Sequence, residues 1–375
     1  MSRAVTGVVA LSDADQSHGG KAAALGTLAR AGFAVPDGVV IPGPRVDAWR
    51  DVRTEDLEDR LADVAPGPYA VRSSSNAEDG PDASFAGQFH TSLNVPAGPA
   101  LIDAVARTAA SLEAAAPAAY AARLGHPAEQ NIAVIVQRMV ATHLAGVMFT
   151  RHPVTGTDRC VIEAIRGLGD TVVDGSSTPE RWTVGTDADV TVDRPGDMPP
   201  VLTERQAHEL VALGRRIEAL FGSPQDIEWA IADGRTWILQ SRPVTDAGPQ
   251  AIPSEDTVID PDRVLVTGSP ASPGRAVGTA RVIADLDQFG HFQPGDVLVC
   301  QTTSPAWTPL LASASAVVTE IGGILSHAAI VAREFGIPAV VAAPGAMGRL
   351  SGHDRVHVDG STGVVSVVRA SGETR

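Results

Sequence analysis

The chain has 375 residues, of which 44% are hydrophobic, and a formal net charge of −15 at pH 7. This length and composition are typical of a globular protein with two domains or one large one. The negative charge argues against a nucleic-acid partner, and no apolar run is long enough to predict a membrane span. The N-terminus has too short an apolar segment for a signal peptide. Cys160 and Cys300 are isolated, which favours buried free thiols in a reducing cytoplasm.

The first chemical motif is a glycine loop followed by a lysine at the start of a predicted helix. Gly19-Gly20 precede Lys21, and Lys21–Ala31 has the alanines and leucines of a packed helix that ends at Gly32. A glycine loop before a helix N-terminus can bind phosphate, although the spacing is not that of a P-loop. Lys21 is also the single lysine in a chain with 28 arginines, which indicates a site that requires a compact ammonium group.

A second polar motif follows a short predicted strand. Tyr69–Val71 favours a strand that ends at Arg72, and Ser73–Asn76 then supply hydroxyl and amide groups on a loop. Ser84–Gln88 is a second turn of small residues. The alanine-rich segment 96–125 is predicted to form scaffold helices.

Two apolar segments joined by a turn at Asp233-Gly234 predict a β-hairpin. Glu228 lies on the first strand and Gln240 on the second, so that their side-chain oxygens can face one another across the ladder. Hard oxygen donors of this kind suit Mg²⁺ that bridges nucleotide phosphates. Arg242, two residues beyond Gln240, lies on the same strand face and can neutralise a phosphoryl group in transfer.

The segment Asp246–Asp262 is polar, contains three prolines and has no periodicity, which predicts a semi-rigid linker. The charge changes at the same place. From Arg263 to the C-terminus there are 8 acidic and 8 basic residues, so the whole excess of negative charge lies before this point. We therefore predict one domain over residues 1–245, a linker over 246–262 and a second domain over 263–375.

The stretch Thr319–Pro338 predicts a strand end, a glycine loop and a short helix. Gly322-Gly323 allow backbone conformations that a Cβ would exclude, Ser326 is the predicted N-cap, and His327 falls in the first helical turn before Gly336 ends the helix. The free N–H groups and the dipole of a helix N-terminus attract phosphate. A histidine in that position can take up a phosphoryl group whose new charge is stabilised.

Together these motifs resemble a family of enzymes that use or make phosphoenolpyruvate: phosphoenolpyruvate synthase, pyruvate phosphate dikinase and rifampin phosphotransferase. The resemblance covers nearly the whole chain and is most specific at Thr319–Pro338, at Tyr69–Leu93 and in the QDIEW…ILQSRP hairpin. It includes the stretch Glu163-Ala164…Gly167-Leu168-Gly169. The implied fold is α/β (α+β), with an ATP-grasp nucleotide-binding domain followed by a β/β/α swivelling phosphohistidine domain.

The resemblance also implies a role for individual residues, with ATP and Mg²⁺ as cofactors. It places the phosphoryl carrier at His327 and has Arg242 act on the transferred group. The residues implied to contact ATP are Lys21, Arg72, Ser73, Gln137, Met139 and Arg242. Of these, Gln137 and Met139 are implied to lie beside the adenine. The residues implied to bind the metal are Glu228 and Gln240.

The implied reaction is an ATP-dependent dikinase-type phosphotransfer. His327 attacks ATP, AMP is released, the γ-phosphate leaves as inorganic phosphate, and His327 retains the group derived from the β-phosphate. We expect the acceptor to be an unidentified small molecule or a separate subunit, because the sequence contains neither a pyruvate-binding barrel after the swivel nor a rifampin-binding domain between the two parts.

Two other functions are compatible with the same motifs. The phosphohistidine could activate a substrate for condensation in a biosynthetic pathway, or the chain could be a nucleotide-binding regulator without turnover. The intact set of candidate site residues argues against the regulator, since a degenerate protein is expected to lose at least one of them. A cytoplasmic location, with no nucleic-acid or membrane partner, is predicted in each case.

Overall fold

The computed structural model describes residues 8–43, 61, 64, 67–75, 91–111, 132–169, 175, 177–187, 189–244, 259–351 and 355–368. Several predicted features lie outside these residues: Asn76, the turn Ser84–Gln88, the end of the alanine-rich segment, and most of the predicted linker.

The described residues form both helices and β-sheets, which confirms the predicted mixed α/β fold class. The helices are α1 (Gly20–Arg30), α2 (Pro99–Ser111), α3 (Glu204–Phe221), α4 (Thr308–Leu311), α5 (His327–Phe335) and α6 (Ala346–Leu350). The strands are β1 (Val9–Ala10), β2 (Gly38–Gly43), β3 (Tyr69–Ser75), β4 (Thr91–Val95), β5 (Ile132–Arg138), β6 (Leu144–Phe149), β7 (Arg159–Arg166), β8 (Glu180–Gly185), β9 (Val190–Asp193), β10 (Gln225–Ala232), β11 (Arg235–Pro243), β12 (Ile259–Thr267), β13 (Ser269–Ser272), β14 (Arg275–Gly278), β15 (Ala280–Val282), β16 (Val297–Cys300), β17 (Ala316–Thr319), β18 (Ala339–Val341), β19 (Val356–Asp359) and β20 (Val364–Val368).

The chain divides into two compact units. The first contains residues 1–150, 166–169 and 204–244, and the second contains residues 151–165, 170–203 and 245–375. The second unit therefore includes residues 151–165 and 170–203, which the sequence prediction assigns to the first domain. A physical reason is that Glu163 on β7 hydrogen-bonds to the loop before α5. The strand β12 begins at Ile259, inside the predicted linker, and the predicted domain boundaries stay a prediction.

The first unit contains a five-stranded antiparallel sheet in the order β1-β2-β5-β3-β4. Successive side chains of a strand point to opposite faces, so each strand contributes to two cores. On one face Val71 and Val136 pack in a cluster with Leu101 of α2. On the other face Ile135 packs in a cluster with Leu25 of α1. This second cluster holds α1, and with it the glycine loop before Lys21, against the sheet.

The same unit contains an antiparallel group in the order β11-β10-β6. The hairpin β10–β11 turns at Asp233-Gly234, where both residues have positive φ, at 51° and 72°. An Asx-Gly pair is the usual choice for such a tight turn. The helix α3 approaches β6 closely at Gly214, where an added Cβ would lie 2.5 Å from Cε of Met148.

The second unit contains β7-β8-β9, an antiparallel group, and two further sheets. A mixed sheet has the order β13-β18-β17-β16-β15, with β15 to β18 parallel, and an antiparallel sheet has the order β12-β20-β19-β14. Val299, Val318 and Val340 of the mixed sheet pack in one core with Val356 and Val358. Because α5 connects β17 to its parallel neighbour β18, it begins just beyond the carboxyl end of β17, where α/β sheets usually bind ligands.

Several local predictions are confirmed by the structure. The helix after the first glycine loop ends before Gly32, which has a φ of 81°. Cys160 and Cys300 are both buried free thiols. No helix in the described part of the chain has the length and apolar character needed to cross a membrane.

Candidate active site

The hairpin β10–β11 places two predicted metal ligands opposite one another. Glu228 is the register partner of Gln240, and Asp226 is the partner of Arg242. These four side chains belong to alternate positions of their strands and therefore share one face of the hairpin. The ladder has an irregularity between Glu228 and Trp229. The predicted face-to-face arrangement of the carboxylate and the amide is thus what the fold contains.

Arg72 joins this face from a different sheet. Its Nη2 donates to Oε2 of Glu228 at 3.3 Å, and its Nη1 donates to the carbonyl oxygen of Leu239 at 3.0 Å. The side chains of Arg72 and Glu228 are 14% and 21% exposed. Both charges are therefore largely shielded from water, yet each keeps an accessible edge. This contact places a cation beside the proposed metal ligands, as binding of a polyphosphate requires.

Arg242 is fixed by a carboxylate that the sequence analysis did not include. Its Nε donates to Oδ2 of Asp226 at 2.8 Å, and both side chains are buried. A buried guanidinium needs such a partner, because an unpaired charge in the interior is costly. Asp226 therefore holds the Arg242 guanidinium in one orientation, and the predicted contact of Arg242 with a phosphoryl group stays a prediction. The signal in the sequence is its position two residues before Glu228, on the same strand face.

The N-terminus of α1 lies against the end of β3. A Cβ on Gly19, which has a φ of 86°, would lie 2.5 Å from Oγ of Ser74, so only glycine allows this approach. The backbone N–H of Ala22 donates to the same hydroxyl at 3.1 Å. Lys21 is thus carried in the first turn of a helix held beside the strand that contains Arg72 and the buried Ser73.

Gln137 and Met139 lie at the carboxyl end of β5. The side chain of Gln137 is buried, and its Nε2 donates to the carbonyl oxygen of Pro36 at 3.0 Å. The backbone N–H of Met139 donates to the carbonyl oxygen of Pro68 at 2.9 Å. Both contacts tie neighbouring segments to β5. The contact with adenine that the resemblance implies for these two residues stays a prediction.

The oxygen donors on the hairpin fit a magnesium ion whose remaining ligands are phosphate oxygens. Among the residues that the structure describes, no group of three or more His, Cys, Asp or Glu side chains could hold a metal ion by itself. Glu228 and Gln240, the predicted metal ligands, each carry a hard oxygen donor, while the nearby carboxylate of Asp226 is bound to Arg242. Mg²⁺ is commonly bound by one or two carboxylates together with substrate phosphates and water.

His327 is the first residue of α5 in the second unit, as predicted. Ser326 occupies the N-cap position with an extended backbone, and Gly336 ends the helix in the left-handed conformation. Within the described part of the chain the Ser326 side chain makes no capping hydrogen bond, so the residue is an N-cap by its backbone conformation. The His327 side chain is buried, with 3% of the residue exposed.

The two ring nitrogens of His327 have different surroundings. Nδ1 forms a hydrogen bond with Oγ1 of Thr303 at 2.9 Å, whereas Nε2 is buried and has no partner among the described residues. When Thr303 accepts from Nδ1–H, the lone pair of the imidazole lies on Nε2. The sequence analysis did not identify Thr303, because it lies 24 positions before His327 and only the fold brings the two side chains together.

Burial lowers the pKa of His327 to about 4. The neutral ring is therefore the dominant form at pH 7, as a nucleophile requires, and the ring gains a proton only as the pH falls toward 4. Because this pKa lies below the usual value for histidine, about 6.5, the unfolded chain binds a proton that the buried ring does not, and the fold loses stability as the pH falls from 6.5 toward 4.

We expect the ring resonances of His327 to titrate with a midpoint near 4 in a proton NMR experiment on the full chain. The His327→Gln variant assigns the resonance by its disappearance. A midpoint at or above the ordinary value of about 6.5 would contradict the buried, neutral state of the imidazole.

Comparison with known proteins gives matches to two family models and a set of similar proteins that are longer than this chain. The sequence model of the pyruvate phosphate dikinase AMP/ATP-binding domain matches residues 47–198 and 185–259, more than half of the chain. The model of the PEP-utilising enzyme mobile domain matches residues 292–363. The first match contains β3 with Arg72 and the hairpin β10–β11, and the second contains Thr303 and His327.

The relatives align with most of this chain. A probable phosphoenolpyruvate synthase of Methanothermobacter thermautotrophicus is 40% identical over 327 residues, which are 79% of this chain and 46% of that protein. The phosphoenolpyruvate synthase of Aeropyrum pernix is 38% identical, over 85% of this chain and 46% of its own length. That of Escherichia coli is 36% identical, over 81% and 44%. The chain spans less than half the length of these relatives.

Proposed function

This chain belongs to the family of phosphoenolpyruvate synthase and pyruvate phosphate dikinase, and we propose that it transfers a phosphoryl group from ATP to His327 and then to pyruvate. The relatives are named for the synthesis of phosphoenolpyruvate. Because the chain spans less than half of their length, pyruvate as the acceptor and phosphoenolpyruvate as the product form part of the proposal.

The observation that carries this proposal is the state of the His327 ring. In this neutral imidazole Thr303 holds one nitrogen, and the other is buried at the start of a helix without a partner among the residues that the structure describes. An ordinary structural histidine uses both nitrogens or exposes one to water, since an unsatisfied buried acceptor costs free energy. A lone pair kept in this way is suited to attack phosphorus, and the helix N-terminus stabilises the charge that arrives.

The first unit supplies the residues for the nucleotide. Arg72, Arg242 and Lys21 are cations on three elements of that unit, and we assign them to the polyphosphate of ATP. Glu228 and Gln240 would hold Mg²⁺, which neutralises charge on the phosphate oxygens when bound. The ion pairs of Arg72 with Glu228 and of Arg242 with Asp226 keep the guanidinium groups in place before ATP arrives. Such preorganised charge is the main source of rate enhancement in phosphoryl transfer.

The proposed reaction begins with attack by Nε2 of His327 on the β-phosphorus of ATP. A bond forms between Nε2 and phosphorus, the bond to the oxygen that bridges the α- and β-phosphates breaks, and AMP leaves with that oxygen. Water then hydrolyses the bond between the β- and γ-phosphates, which releases inorganic phosphate and leaves one phosphoryl group on His327. Transfer of this group to the enol oxygen of pyruvate restores the free imidazole.

Two labelled forms of ATP test this sequence of steps. With the β-phosphate labelled, we expect acid-labile label to accumulate on the protein, together with one AMP for each phosphoryl group. With the γ-phosphate labelled, the label should appear as inorganic phosphate. Release of ADP, or acid-stable label, would contradict the proposal.

A further inference from the structure

The loop in front of His327 is fastened by one buried carboxylate, which has no role in the function proposed above. Oε1 of Glu163 accepts a hydrogen bond from the N–H of Ile324 at 2.8 Å, and Oε2 accepts one from the N–H of Leu325 at 3.1 Å. Glu163 lies on β7 with 1% of the residue exposed. Each oxygen therefore holds one backbone amide, two and three residues before the phosphoryl carrier.

The approach of this carboxylate to the loop depends on a glycine. A Cβ on Gly323 would lie 2.2 Å from Oε2 of Glu163 and 2.4 Å from Oε1. Any other residue at position 323 would therefore displace the carboxylate from the amides of Ile324 and Leu325. The second glycine of the predicted loop thus permits a specific contact with Glu163 that a Cβ would exclude.

A carbonyl group of the same loop is also held by a charged side chain. Nη1 of Arg333, a buried residue of α5, donates to the carbonyl oxygens of Ile324 and Ala271, both at 2.8 Å. The peptide groups on both sides of Ile324 are thus held by charged side chains. Hydrogen bonds with an ionised partner are about twice as strong as neutral ones, so this segment has little freedom to move relative to β7.

Keeping Glu163 ionised at this position is costly. Burial raises the pKa of Glu163, and the charges of Arg181 and Arg333 together with the two amide hydrogen bonds oppose that rise. A buried carboxylate is weak evidence for stability, because an apolar side chain of similar size often serves the fold as well. The two amides that Glu163 binds lie just before His327, which indicates a role in placing the imidazole.

We propose that Glu163 is a positioning residue for His327, whose carboxylate fastens the Ile324–Leu325 segment and thereby fixes the place and the burial of the imidazole. When this carboxylate releases the two amides, the loop loosens and the ring becomes accessible. The proposal rests on the proposed function for its consequence in catalysis, but the effect on the accessibility of the ring is independent of that function.

The chain offers a matched control in Glu180 on β8. Its side chain is also fully buried, and its two oxygens accept hydrogen bonds from two consecutive amides, those of Val201 and Leu202, at 3.1 and 3.0 Å. These amides belong to the segment before α3 and not to the loop of His327. Glu180→Gln therefore makes the same chemical change at a carboxylate of the same kind.

The test compares Glu163→Gln with Glu180→Gln in the full chain. In Glu163→Gln the new amide group places an N–H donor against one of the two loop N–H groups. We expect carbethoxylation of His327 by diethyl pyrocarbonate, measured by mass spectrometry, to be about tenfold faster than in the wild type, which corresponds to the loss of one hydrogen bond to a charged group. Transfer of labelled β-phosphate to His327 at saturating ATP should be slower by about the same factor, with unchanged ATP affinity. Glu180→Gln should lower the melting temperature without either effect.

An unchanged rate of carbethoxylation in Glu163→Gln would overturn the proposal, and so would an equal increase in both variants, since that result indicates general loosening. If Glu163→Gln does not fold, Glu163→Asp, whose shorter side chain cannot reach both amides, is judged by the same criteria. The two proposals can fail separately. If the wild-type protein never acquires phosphate from ATP, but carbethoxylation of His327 is faster in Glu163→Gln, the proposed function is refuted and the positioning role is supported.

Discussion

Replacement of His327 by alanine should abolish acid-labile phosphorylation by β-labelled ATP while ATP binding stays close to that of the wild type. The reason is that Nε2 is the only nitrogen of this ring without a partner in the described structure, and no other group at the start of α5 can form the phosphoramidate. Loss of a covalent nucleophile typically removes all but a residual rate, a decrease on the order of 10⁴-fold or more. Labelled phosphate is measured after acid and alkaline quenching, and ATP affinity is measured by titration calorimetry.

His357 is a suitable control for this experiment. It also lies in the second unit, on β19, with a buried side chain. His357→Gln should keep the labelling of the wild type, because the residue belongs to the antiparallel sheet and not to the loop of His327. Persistent labelling of His327→Ala would show that another residue carries the phosphoryl group, and the assignment would have to be abandoned.

Replacement of Glu228 by alanine should remove the Mg²⁺-dependent formation of AMP. The substitution deletes one of two proposed metal ligands and also leaves Nη2 of Arg72 without its carboxylate partner. Loss of one preorganised charged group at a site of phosphoryl transfer is expected to lower the rate by about 10²- to 10³-fold. AMP formation is measured against MgCl₂ concentration at saturating ATP.

The exposed pair Arg205–Glu209 provides the matching control in the same unit, because Glu209 accepts from Arg205 at 2.6 Å on the surface of α3. An exposed ion pair contributes little, so Glu209→Ala should have the rate and magnesium dependence of the wild type. Glu228→Gln separates the two effects of the main substitution, since an amide oxygen can still accept from Arg72 but has no charge for the metal. If Glu228→Ala forms AMP with the magnesium dependence of the wild type, Glu228 does not bind the metal.

The sequence by itself determines the local elements that bear the candidate residues. Gly336 in the left-handed conformation, Ser326 before the first helical residue, and the Asp233-Gly234 turn all occur where the residue pattern predicts them. These features depend on interactions between residues a few positions apart, which the amino-acid types alone decide. The turn also sets the register of the hairpin next to Asp233-Gly234, but an unbroken ladder from that turn would place Leu239 opposite Glu228. Gln240 faces Glu228 because the register shifts by one residue between Glu228 and Trp229.

The family resemblance and the fold class are likewise predicted from the sequence and confirmed by the matches to the nucleotide-binding and mobile domains. The roles of individual residues stay predictions. Motifs such as QDIEW and GGILSHAA are short, contiguous and specific in composition, and they can be identified without knowledge of the fold. They do not show which distant groups hold each side chain in place.

Only the tertiary structure decides the contacts that join distant segments. Arg72 and Glu228 are 156 positions apart, Glu163 and Ile324 are 161 apart, and Thr303 is 24 from His327. Strand order and packing bring these groups together, and many arrangements of the same local elements would separate them. The burial that keeps the imidazole of His327 neutral also arises from packing, because a pKa depends on the surroundings of a group and not on its neighbours in the sequence.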